Sequence, residues 1–308
     1  MSATPHPHYN DPEHGYLQND LVKRAGVVQQ FTEYEQQEYL RCMTSPSYFA
    51  KKYVKIISLD KGLVEFDLWP YQEKMYDHFE RNRFSIVLAP RQSGKSISVV
   101  AYLLWYACFH ADKSVAILAN KGATSREMLS RITLALENMP FFLQPGCRVL
   151  NKGSISFDNN STVFAAATSG SSIRGRSVAL LYLDEFAFVQ RNLADQFFAS
   201  TYPTISSGKT TKIIIVSTPN GMNHFFKMWV DAQEKRSEYV PIEIHWADVP
   251  GRDDEWKKQT IANTSEQQFR QEFECEFIGS SSTLIHPMKL REMTWITPVK
   301  DKFGLDIC

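Results

Sequence analysis

The sequence lacks an excess of charge of either sign. Its 34 Lys and Arg side chains are matched by 34 Asp and Glu, so the formal net charge is zero. No global basic field therefore points to nucleic acid, and any contact with DNA has to be local or shared between subunits. With 43% apolar residues over 308 positions, the chain has ample material for a folded core.

Cysteine pairs, internal repeats and long apolar runs are also missing. The five cysteines lie far apart, with no C-x-x-C pair and no His at a zinc-finger spacing, so we interpret them as reduced thiols. No apolar run reaches the roughly 18 to 20 residues that span a bilayer, and the N-terminus lacks the basic and apolar regions of a signal peptide. We therefore expect a soluble, intracellular protein without a membrane partner.

Alternating strand and helix patterns fill the middle of the chain. Nearly all-apolar strands are predicted at 84–89, 114–119, 178–183 and 212–218, with helical patterns between them. Such strands, separated by helices, predict a mostly parallel sheet covered on both faces, which is a doubly wound α/β domain.

Different patterns flank this domain on both sides. Residues 1–30 are rich in Pro, His, Asn and Asp and predict a flexible tail. Helical patterns lead from residue 31 into the first strand. After residue 222, a helix, a strand at 239–245 and two helices within 253–273 predict a small mixed subdomain.

A phosphate-binding loop is indicated at residues 89–96. Its spacing is that of a P-loop, with Ala89 where a first Gly usually stands, and it lies between a predicted strand and a predicted helix. In that position the loop amides and the helix N-terminus surround a phosphate with donors. Lys95 is expected to bridge the β- and γ-phosphates of a nucleotide, and the Ser96 hydroxyl to bind Mg²⁺. The residues predicted to bind the nucleotide are Gln72, Arg91, Gln92, Ser93, Gly94, Lys95 and Ser96.

An acidic pair follows the apolar strand at 180–183. Its position places Asp184 at the carboxyl end of a buried parallel strand, where the sites of such sheets collect. Asp184 is expected to hold Mg²⁺ through water. Glu185 is expected to accept a proton from the water that attacks the γ-phosphate.

Two further segments contribute polar groups to the predicted site. Gln72 lies about twenty residues before the loop, and its amide can both donate to and accept from an adenine edge; the alternative is an ordinary surface amide. The strand at 213–216 ends in Ser217, Thr218 and Asn220, whose hydroxyl and amide groups are expected near the γ-phosphate, where they can sense hydrolysis.

Taken together, these motifs resemble those of the large terminase subunit, the DNA-packaging motor of tailed bacteriophages. The resemblance runs from the Gln72 segment to about Met293 and includes Ser-Ser-Ile-Arg-Gly-Arg at 171–176 and Phe-Glu-Cys-Glu-Phe at 273–277. It implies a P-loop ATPase of the RecA-like, additional-strand class that uses ATP and Mg²⁺.

The family also implies how such a protein works and with what. Its members act as a homo-oligomeric ring on the portal of a procapsid, in the cytoplasm of the host cell, and such a chain can be a monomer when it is not assembled. The implied partners are double-stranded DNA, bound without sequence preference, the portal protein and the small terminase subunit.

The resemblance further assigns roles to particular residues. Arg91 resembles a position that contacts the γ-phosphate within one subunit, and Arg174 occupies a place where related motors offer an arginine finger to the neighbouring subunit. The alternative for Arg174 is a solvent-facing basic loop shared with Arg176. The implied catalytic residues are Glu185, Lys95, Arg91 and Arg174, and the implied coupling residues are Ser217, Thr218 and Asn220.

The predicted division of the chain follows from the same comparison. Residues 31–221 are expected to form the ATPase core with its helical lead-in, and 222–308 a small subdomain with a linker. Large terminases normally continue into a nuclease domain with clustered Asp residues. The final stretch here offers only Asp301 and Asp306, too few for a two-metal site, so we expect no DNA cleavage by this chain.

Three other functions fit part of the pattern. A helicase-like translocase shares the Gln motif, the loop and the acidic pair, but normally carries a second RecA-like domain. A nucleotide-switched assembly protein would turn over slowly and ignore DNA, and a metabolic kinase fits poorly with Glu185. If DNA is bound, local basic residues should hold its backbone, and binding should weaken with salt. The candidates are Lys121, Arg126, Arg131, Arg174, Arg176, Lys209 and Lys212.

Overall fold

The structure, a computed structural model, describes residues 13–17, 19–169, 171–206, 208–278, 299–300 and 306–307. Its helices are α1 (Glu33–Thr44), α2 (Pro46–Tyr53), α3 (Pro70–Arg81), α4 (Lys95–Phe109), α5 (Gly122–Glu137), α6 (Arg191–Ser206), α7 (His224–Gln233), α8 (Asp254–Asn263) and α9 (Glu266–Glu272). Short 3₁₀ helices span Phe186–Phe188 and Trp246–Asp248. Its strands are β1 (Gly15–Tyr16), β2 (Asn19–Lys23), β3 (Lys55–Ser58), β4 (Gly62–Glu65), β5 (Phe84–Leu88), β6 (Ser114–Ala119), β7 (Cys147–Leu150), β8 (Ser154–Phe157), β9 (Thr162–Ala167), β10 (Leu180–Asp184), β11 (Lys212–Ser217), β12 (Val240–Glu243), β13 (Val299–Lys300) and β14 (Asp306–Ile307).

An eight-stranded sheet forms the centre of the fold, in the order β12-β5-β11-β10-β6-β9-β8-β7. The strands from β12 to β9 run parallel, and β8 and β7 continue the sheet antiparallel. The predicted mostly parallel sheet is therefore confirmed. β11 is inserted between β5, which precedes the P-loop, and β10, which ends at Asp184, and this inserted strand defines the additional-strand class.

Helices cover both faces of this sheet. Successive side chains of a strand point to opposite sides, and those of the central strands are apolar on both sides, so each face has to be buried. In β10, Tyr182 packs into a core with α3, α4 and α5, whereas Leu181 and Leu183 pack into a second core with α6 and α7. The strands are accordingly apolar on both faces, as β5 and β10 are buried along their whole length.

The N-terminal segment corrects one prediction. Of the predicted flexible tail 1–30, the structure describes 13–17 and 19–30, and β2 packs on the core with Val22 fully buried. The buried amide of Gln144 holds this strand: its Oε1 accepts from the Lys23 N–H at 2.8 Å, and its Nε2 donates to the Leu21 carbonyl at 3.0 Å. Because these contacts join residues over 120 positions apart, local composition could not reveal them. Residues 1–12 lie outside the described residues.

The lead-in between residues 31 and 83 is helical, as predicted, except for one hairpin. α1 starts at a capping box, in which Thr32 and Glu35 each satisfy the other's backbone N–H. β3 and β4 then form an antiparallel pair that the sequence analysis did not predict. The signal was present in Asp60, Lys61 and Gly62, a turn sequence between two short β-branched stretches.

The C-terminal part is not separate from the central sheet, although the sequence predicted a domain boundary at residue 222. β12 pairs in parallel with β5 and is the edge strand of the central sheet, so the predicted subdomain that begins at 222 contributes to the core sheet. α8 and α9 form their own aromatic cluster, in which Trp256 contacts Trp246 and Phe273. The remaining domain boundaries stay predictions.

Two predicted absences can be examined in the described part of the chain. There, no helix is both long and apolar enough to cross a membrane. Four cysteines are unpaired and buried, and Cys308 lies outside the described residues. These four are Cys42, Cys108, Cys147 and Cys275.

Candidate nucleotide-hydrolysis site

Three parallel strands bring the predicted motifs to one edge of the sheet. In the strand register Leu88 of β5 lies opposite Ser217 of β11, and Val216 of β11 lies opposite Asp184 of β10. The loop after β5, the acidic pair after β10 and the polar residues after β11 therefore emerge side by side. This is the carboxyl edge of a parallel sheet, where ligands of such folds bind.

The P-loop has the strained backbone that a phosphate cradle requires. Gly94 caps α4 with φ +66°, and a Cβ at this position would lie 2.8 Å from the Gln72 Nε2. Gln92 also has a positive φ, of 54°, which is uncommon for a residue with a side chain. Inside the loop the Ser93 hydroxyl donates to the Pro90 carbonyl at 2.9 Å. The loop is therefore fixed in shape by its own contacts.

Lys95 lies buried at the start of α4 and faces the acidic pair. Its side chain is 7% exposed, and its Nζ lies 3.1 Å from Glu185 Oε1. Nζ also donates to the Pro90 carbonyl at 3.5 Å. A buried ammonium held against a carboxylate beside a helix N-terminus is arranged to meet a polyphosphate.

Asp184 lies where a cation would be expected. Its Oδ1 accepts hydrogen bonds from Tyr182 Oη at 2.5 Å and from Ser96 Oγ at 3.5 Å. Burial, followed by the neighbouring charge of Glu185, raises the pKa of Asp184 to about 6. Two acidic groups, of which Asp184 is buried, lie beside a hydroxyl and match the hard oxygen ligands that Mg²⁺ prefers. The residues therefore fit a magnesium ion held by Ser96 and Asp184.

Glu185 is held in a sparsely populated backbone conformation, with φ 48° and ψ 45°. Its Oε2 accepts from Thr218 Oγ1 at 3.2 Å, from the Thr218 N–H at 3.4 Å and from Ser217 Oγ at 3.5 Å. Non-glycine residues in this region mark sites where the surrounding structure enforces an orientation. Here the end of β11 fixes the carboxylate that the sequence identified as the candidate base.

Ser217 and Asn220 also contact the segment that follows Glu185. Ser217 Oγ accepts from the Ala187 N–H at 3.0 Å, and Asn220 Nδ2 donates to the Ala187 carbonyl at 3.2 Å. Two of the three predicted coupling residues, Ser217 and Thr218, thus contact Glu185 itself. Asn220 contacts the turn behind it.

Gln72 has a different environment from the one expected for an adenine reader. It is 1% exposed, its Oε1 accepts from the Trp69 N–H at 3.0 Å, and its Nε2 donates to the Gly94 carbonyl at 3.3 Å. Both ends of the amide are engaged, so this arrangement favours a role in holding α3 against the P-loop. The neighbouring Tyr71, which the sequence analysis passed over, donates its hydroxyl to the Ser93 carbonyl.

The exposed side of the loop contacts the C-terminal helices. Arg91 Nε forms an ion pair with Glu272 Oε2 at 2.8 Å, and the Arg91 N–H donates to the Glu272 carbonyl at 2.9 Å. The Arg91 side chain is 59% exposed. Arg91, which is predicted to contact the γ-phosphate, is therefore paired with a carboxylate of α9 in this structure.

Arg252 is a second link from the C-terminal part to the loop, and the sequence analysis missed it. Its Nη2 donates to the carbonyls of Arg91 and Gln92 at 3.0 and 2.9 Å. Its guanidinium lies over the rings of Trp256, at 4.7 Å, and Phe273, at 5.4 Å. No local sequence signal marks it, because its partners lie about 160 positions earlier.

Arg174 lines a surface pocket that contains no residue of the P-loop. It is exposed in the turn after β9 and lines a surface pocket with Ser171, Leu193 and Gln196, none of which contributes to the loop. The nearby Arg176 instead lies over the Phe164 ring at 4.5 Å. The geometry leaves Arg174 accessible to another molecule.

The other basic candidates do not share one role. Lys212 donates to the carbonyls of Phe79 and Glu80 and so caps the end of α3. Arg126 and Arg131 lie on α5, where Arg131 pairs with Glu127 at 3.4 Å. The predicted basic surface thus includes at least one residue with a structural task.

Comparison with known proteins adds to this geometry. The family profile described as "Terminase large subunit, T4likevirus-type, N-terminal" matches residues 86–292, about two thirds of the chain. The chain is similar to the crystal structure of the bacteriophage HK97 large terminase, with 16% identity, a TM-score of 0.62 and coverage of 84% of this chain and 60% of that one.

Two other solved structures share the fold. The ATPase domain of the Thermus phage P74-26 large terminase has 17% identity and a TM-score of 0.54, over 66% of this chain and 92% of that one. The large terminase of a thermophilic bacteriophage, in complex with ADP, has 14% identity and a TM-score of 0.54, over 68% of this chain and 54% of that one. The matched part thus corresponds to an isolated ATPase domain and to little more than half of a complete large terminase.

The profile match covers the P-loop from its strand onward, the acidic pair and the residues after β11, which are the elements that meet at the sheet edge. Because it extends over well over half of the sequence, it establishes the relationship that the motifs suggested. The chain belongs to the family of terminase large subunits, the DNA-packaging ATPases of tailed bacteriophages.

Proposed function

We propose that this chain hydrolyses ATP with Mg²⁺ at the site formed by the P-loop, Asp184 and Glu185, and that hydrolysis drives double-stranded DNA into a procapsid. The observation that carries the proposal is the contact of Lys95 with Glu185, 3.1 Å apart, beside the Ser96 and Asp184 pair. This arrangement provides a lysine ammonium that can bind phosphate, a carboxylate that can act as a base and a pair of oxygen ligands for Mg²⁺, all within one cradle.

Each residue has a definite task in this mechanism. The loop amides and Lys95 hold the β- and γ-phosphates, while Ser96 and Asp184 hold the metal, which when bound neutralises charge on the phosphate oxygens. Glu185, oriented by Thr218, accepts the proton of the attacking water. Before this step, Lys95 has to move from Glu185 to the nucleotide phosphates. This movement frees the Glu185 carboxylate to act as a base.

The contacts at the end of β11 support a route from chemistry to movement. Ser217 and Thr218 touch Glu185 directly, so a change in its charge or position reaches β11 through hydrogen bonds of 3.2 to 3.5 Å. Asn220 transmits the same change to the turn at Ala187. Glu185 follows the end of β10 and Ser217 ends β11, so small shifts of these residues can be passed on to the rest of the sheet.

The packaging role also separates this proposal from its alternatives. A nucleotide-switched assembly protein predicts a turnover that double-stranded DNA does not change, whereas a packaging motor predicts a turnover that depends on it. The match to the terminase family argues against the helicase-like alternative. As in the family, we propose DNA held through its backbone, a ring of subunits, portal and small-subunit partners, and action in the host cytoplasm. That the chain itself does not cleave DNA stays a prediction, which incubation with DNA and Mg²⁺ or Mn²⁺ tests.

Metal dependence is the direct test of the catalytic proposal. Steady-state ATP turnover should vanish in EDTA and return with Mg²⁺. Asp184→Asn should raise the Mg²⁺ concentration for half-maximal turnover by about 10- to 100-fold, because a carboxylate that binds metal through water contributes about that much. Asp253→Asn, at the exposed start of α8, is the matched control and should leave this concentration unchanged. Full turnover in EDTA would contradict the proposal.

Arg252 is expected to position the loop for catalysis. Arg252→Met keeps the stacking on Trp256 but removes both hydrogen bonds to the loop carbonyls, so kcat/KM for ATP should fall by about 10- to 100-fold. Arg252→Lys should restore part of this loss, because one ammonium can reach at least one of the two carbonyls. Separate values of kcat and KM show whether binding or chemistry is affected.

A control variant and a contrary outcome complete this test. Arg236→Met removes an exposed guanidinium whose ion pairs are with Asp231 and Glu234 rather than with the loop, and should leave kcat/KM unchanged. If Arg252→Met has wild-type kcat/KM, the contact has no catalytic role and only joins α8 to the loop.

A further inference from the structure

A pocket of about 550 Å³ lies at the end of α4 that is remote from the P-loop. Its walls come from the N-terminal segment, α1, the last turn of α4 and the segments after α5 and β8. Aromatic and aliphatic side chains form most of the lining, among them Phe31, Tyr39, Phe142 and Leu143. Its volume falls within the range of small-molecule sites. Lys95 and Cys108 mark the two ends of the helix, so the pocket is about 20 Å from the loop.

One cation stands in this apolar lining. Lys23 is 6% exposed, and among the described residues its Nζ has no hydrogen-bond or ion-pair partner. Its backbone is fixed, since its N–H donates to Gln144 Oε1 at 2.8 Å. An ammonium in a mostly apolar lining is less well solvated than one in open water, and pairing with an anion offsets that cost. The charge therefore points to a ligand that would complete its environment.

Neighbouring titratable groups do not supply that partner. Asp158 attracts Lys23 through its charge without forming an ion pair with it, and its two oxygens accept from backbone donors, Oδ1 from the Gly146 N–H at 2.9 Å and Oδ2 from the Gly26 N–H at 3.4 Å. Burial raises the pKa of the Cys108 thiol and of the Tyr39 hydroxyl, so both are neutral near pH 7. Lys23 is thus the cation that faces the pocket and Asp158 the anion.

We propose that this pocket binds a small amphiphilic monocarboxylate, whose carboxylate pairs with Lys23 Nζ and whose apolar body lies between Phe31, Phe142 and Leu143. One cation balances one negative charge, and Asp158, which also lines the pocket, repels a phosphate dianion more strongly than a monocarboxylate. Tyr39 and Gln36 offer a hydroxyl and an amide at the lining as further donors. This inference does not depend on the proposed ATPase mechanism.

The test uses dansylglycine, a fluorescent aromatic monocarboxylate, and its uncharged methyl ester as a matched probe. The wild-type chain should bind dansylglycine at one saturable site about tenfold or more tightly than the ester, since a hydrogen bond between charged groups contributes about that factor. Lys23→Met should remove this difference and leave the affinity for the ester unchanged. Lys23→Arg should keep the preference for the acid.

Further variants separate the site from general hydrophobic binding. Leu40→Trp, at the exposed edge of the pocket, should weaken both probes by steric filling. Lys258→Met, on the exposed face of α8, is the matched lysine control and should change neither affinity. The thermal unfolding midpoint of each variant shows whether it remains folded.

A pH titration provides an independent readout. Burial lowers the pKa of Lys23 to about 8, although the charge of Asp158 opposes this shift. The preference for the acid over the ester should therefore decline between pH 7 and about pH 9.5 in the wild type, as the ammonium loses its proton, and be absent throughout in Lys23→Met. If the ester binds as tightly as the acid, or if Lys23→Met keeps the preference, the proposal is wrong.

Discussion

Glu185→Gln is expected to lower the turnover of ATP by about 10² to 10⁴-fold while ATP still binds. The amide cannot take the proton of the attacking water. Its NH₂ group also cannot accept from Thr218, whose hydroxyl and backbone N–H both donate to Glu185 in the wild type, or from Lys95, whose ammonium contacts the other oxygen. Lys95 loses its ion pair with Glu185, but Lys95 and the loop amides remain present, so the phosphates keep their ligands.

Two measurements distinguish a lost base from a lost site. The affinity for a fluorescent ATP analogue should stay within a few-fold of the wild type, and single-turnover hydrolysis should show the full defect. Glu255→Gln, in the exposed first turn of α8, is the control for the loss of a carboxylate. If Glu185→Gln keeps more than a tenth of the wild-type turnover, another group acts as the base.

Arg174→Ala is expected to lower turnover by about 10³ to 10⁵-fold through a site on the neighbouring subunit. An arginine finger meets charge that develops only in the transition state, so its loss affects kcat far more than nucleotide affinity. Arg174 is exposed and lines a surface pocket to which its own P-loop does not contribute, which suits action on another chain. Arg174→Lys should recover little, because it lacks the planar fork that binds two phosphate oxygens.

Mixing the two variants tests this arrangement without a structure of the ring. A subunit with Arg174→Ala keeps its own loop and base, and a subunit with Glu185→Gln still offers Arg174. Each is inactive alone, but together they should restore part of the turnover, and wild-type turnover per chain should rise with protein concentration. If Arg174→Ala is fully active and turnover per chain is independent of concentration, the finger is assigned to the wrong residue. Arg176→Ala, which removes the contact with Phe164, controls for loss of charge in the same turn.

Local sequence signals were sufficient for the centre of the site. The P-loop spacing, the acidic pair and the polar residues after β11 each follow an apolar strand, and parallel strands align their carboxyl ends. A shared location of Lys95, Asp184 and Ser217 at the carboxyl edge of the sheet therefore follows from the order of strands and helices alone. The structure adds the inserted position of β11 between β5 and β10, which brings Thr218 onto Glu185.

Residues that act at long range gave no such signal. Arg252 and Glu272 contact the loop from over 150 positions away, and neither stands in a pattern that predicts a contact. For Gln72 the sequence indicated the right place, but its amide is engaged by Trp69 and Gly94. Composition marked the N-terminal segment as a tail, although Gln144 anchors it to the core.

The sequence by itself determined the fold class, the phosphate cradle and the acidic pair, because these depend on the periodicity of strands and helices and on contacts between near neighbours in the chain. Only the tertiary structure decided the direction and partners of individual side chains. It paired Arg91 with Glu272, placed β12 in the central sheet and left Lys23, among the described residues, without a partner in an apolar pocket. Such outcomes arise from packing between distant segments, in which burial and hydrogen-bond geometry, rather than local propensity, fix each contact.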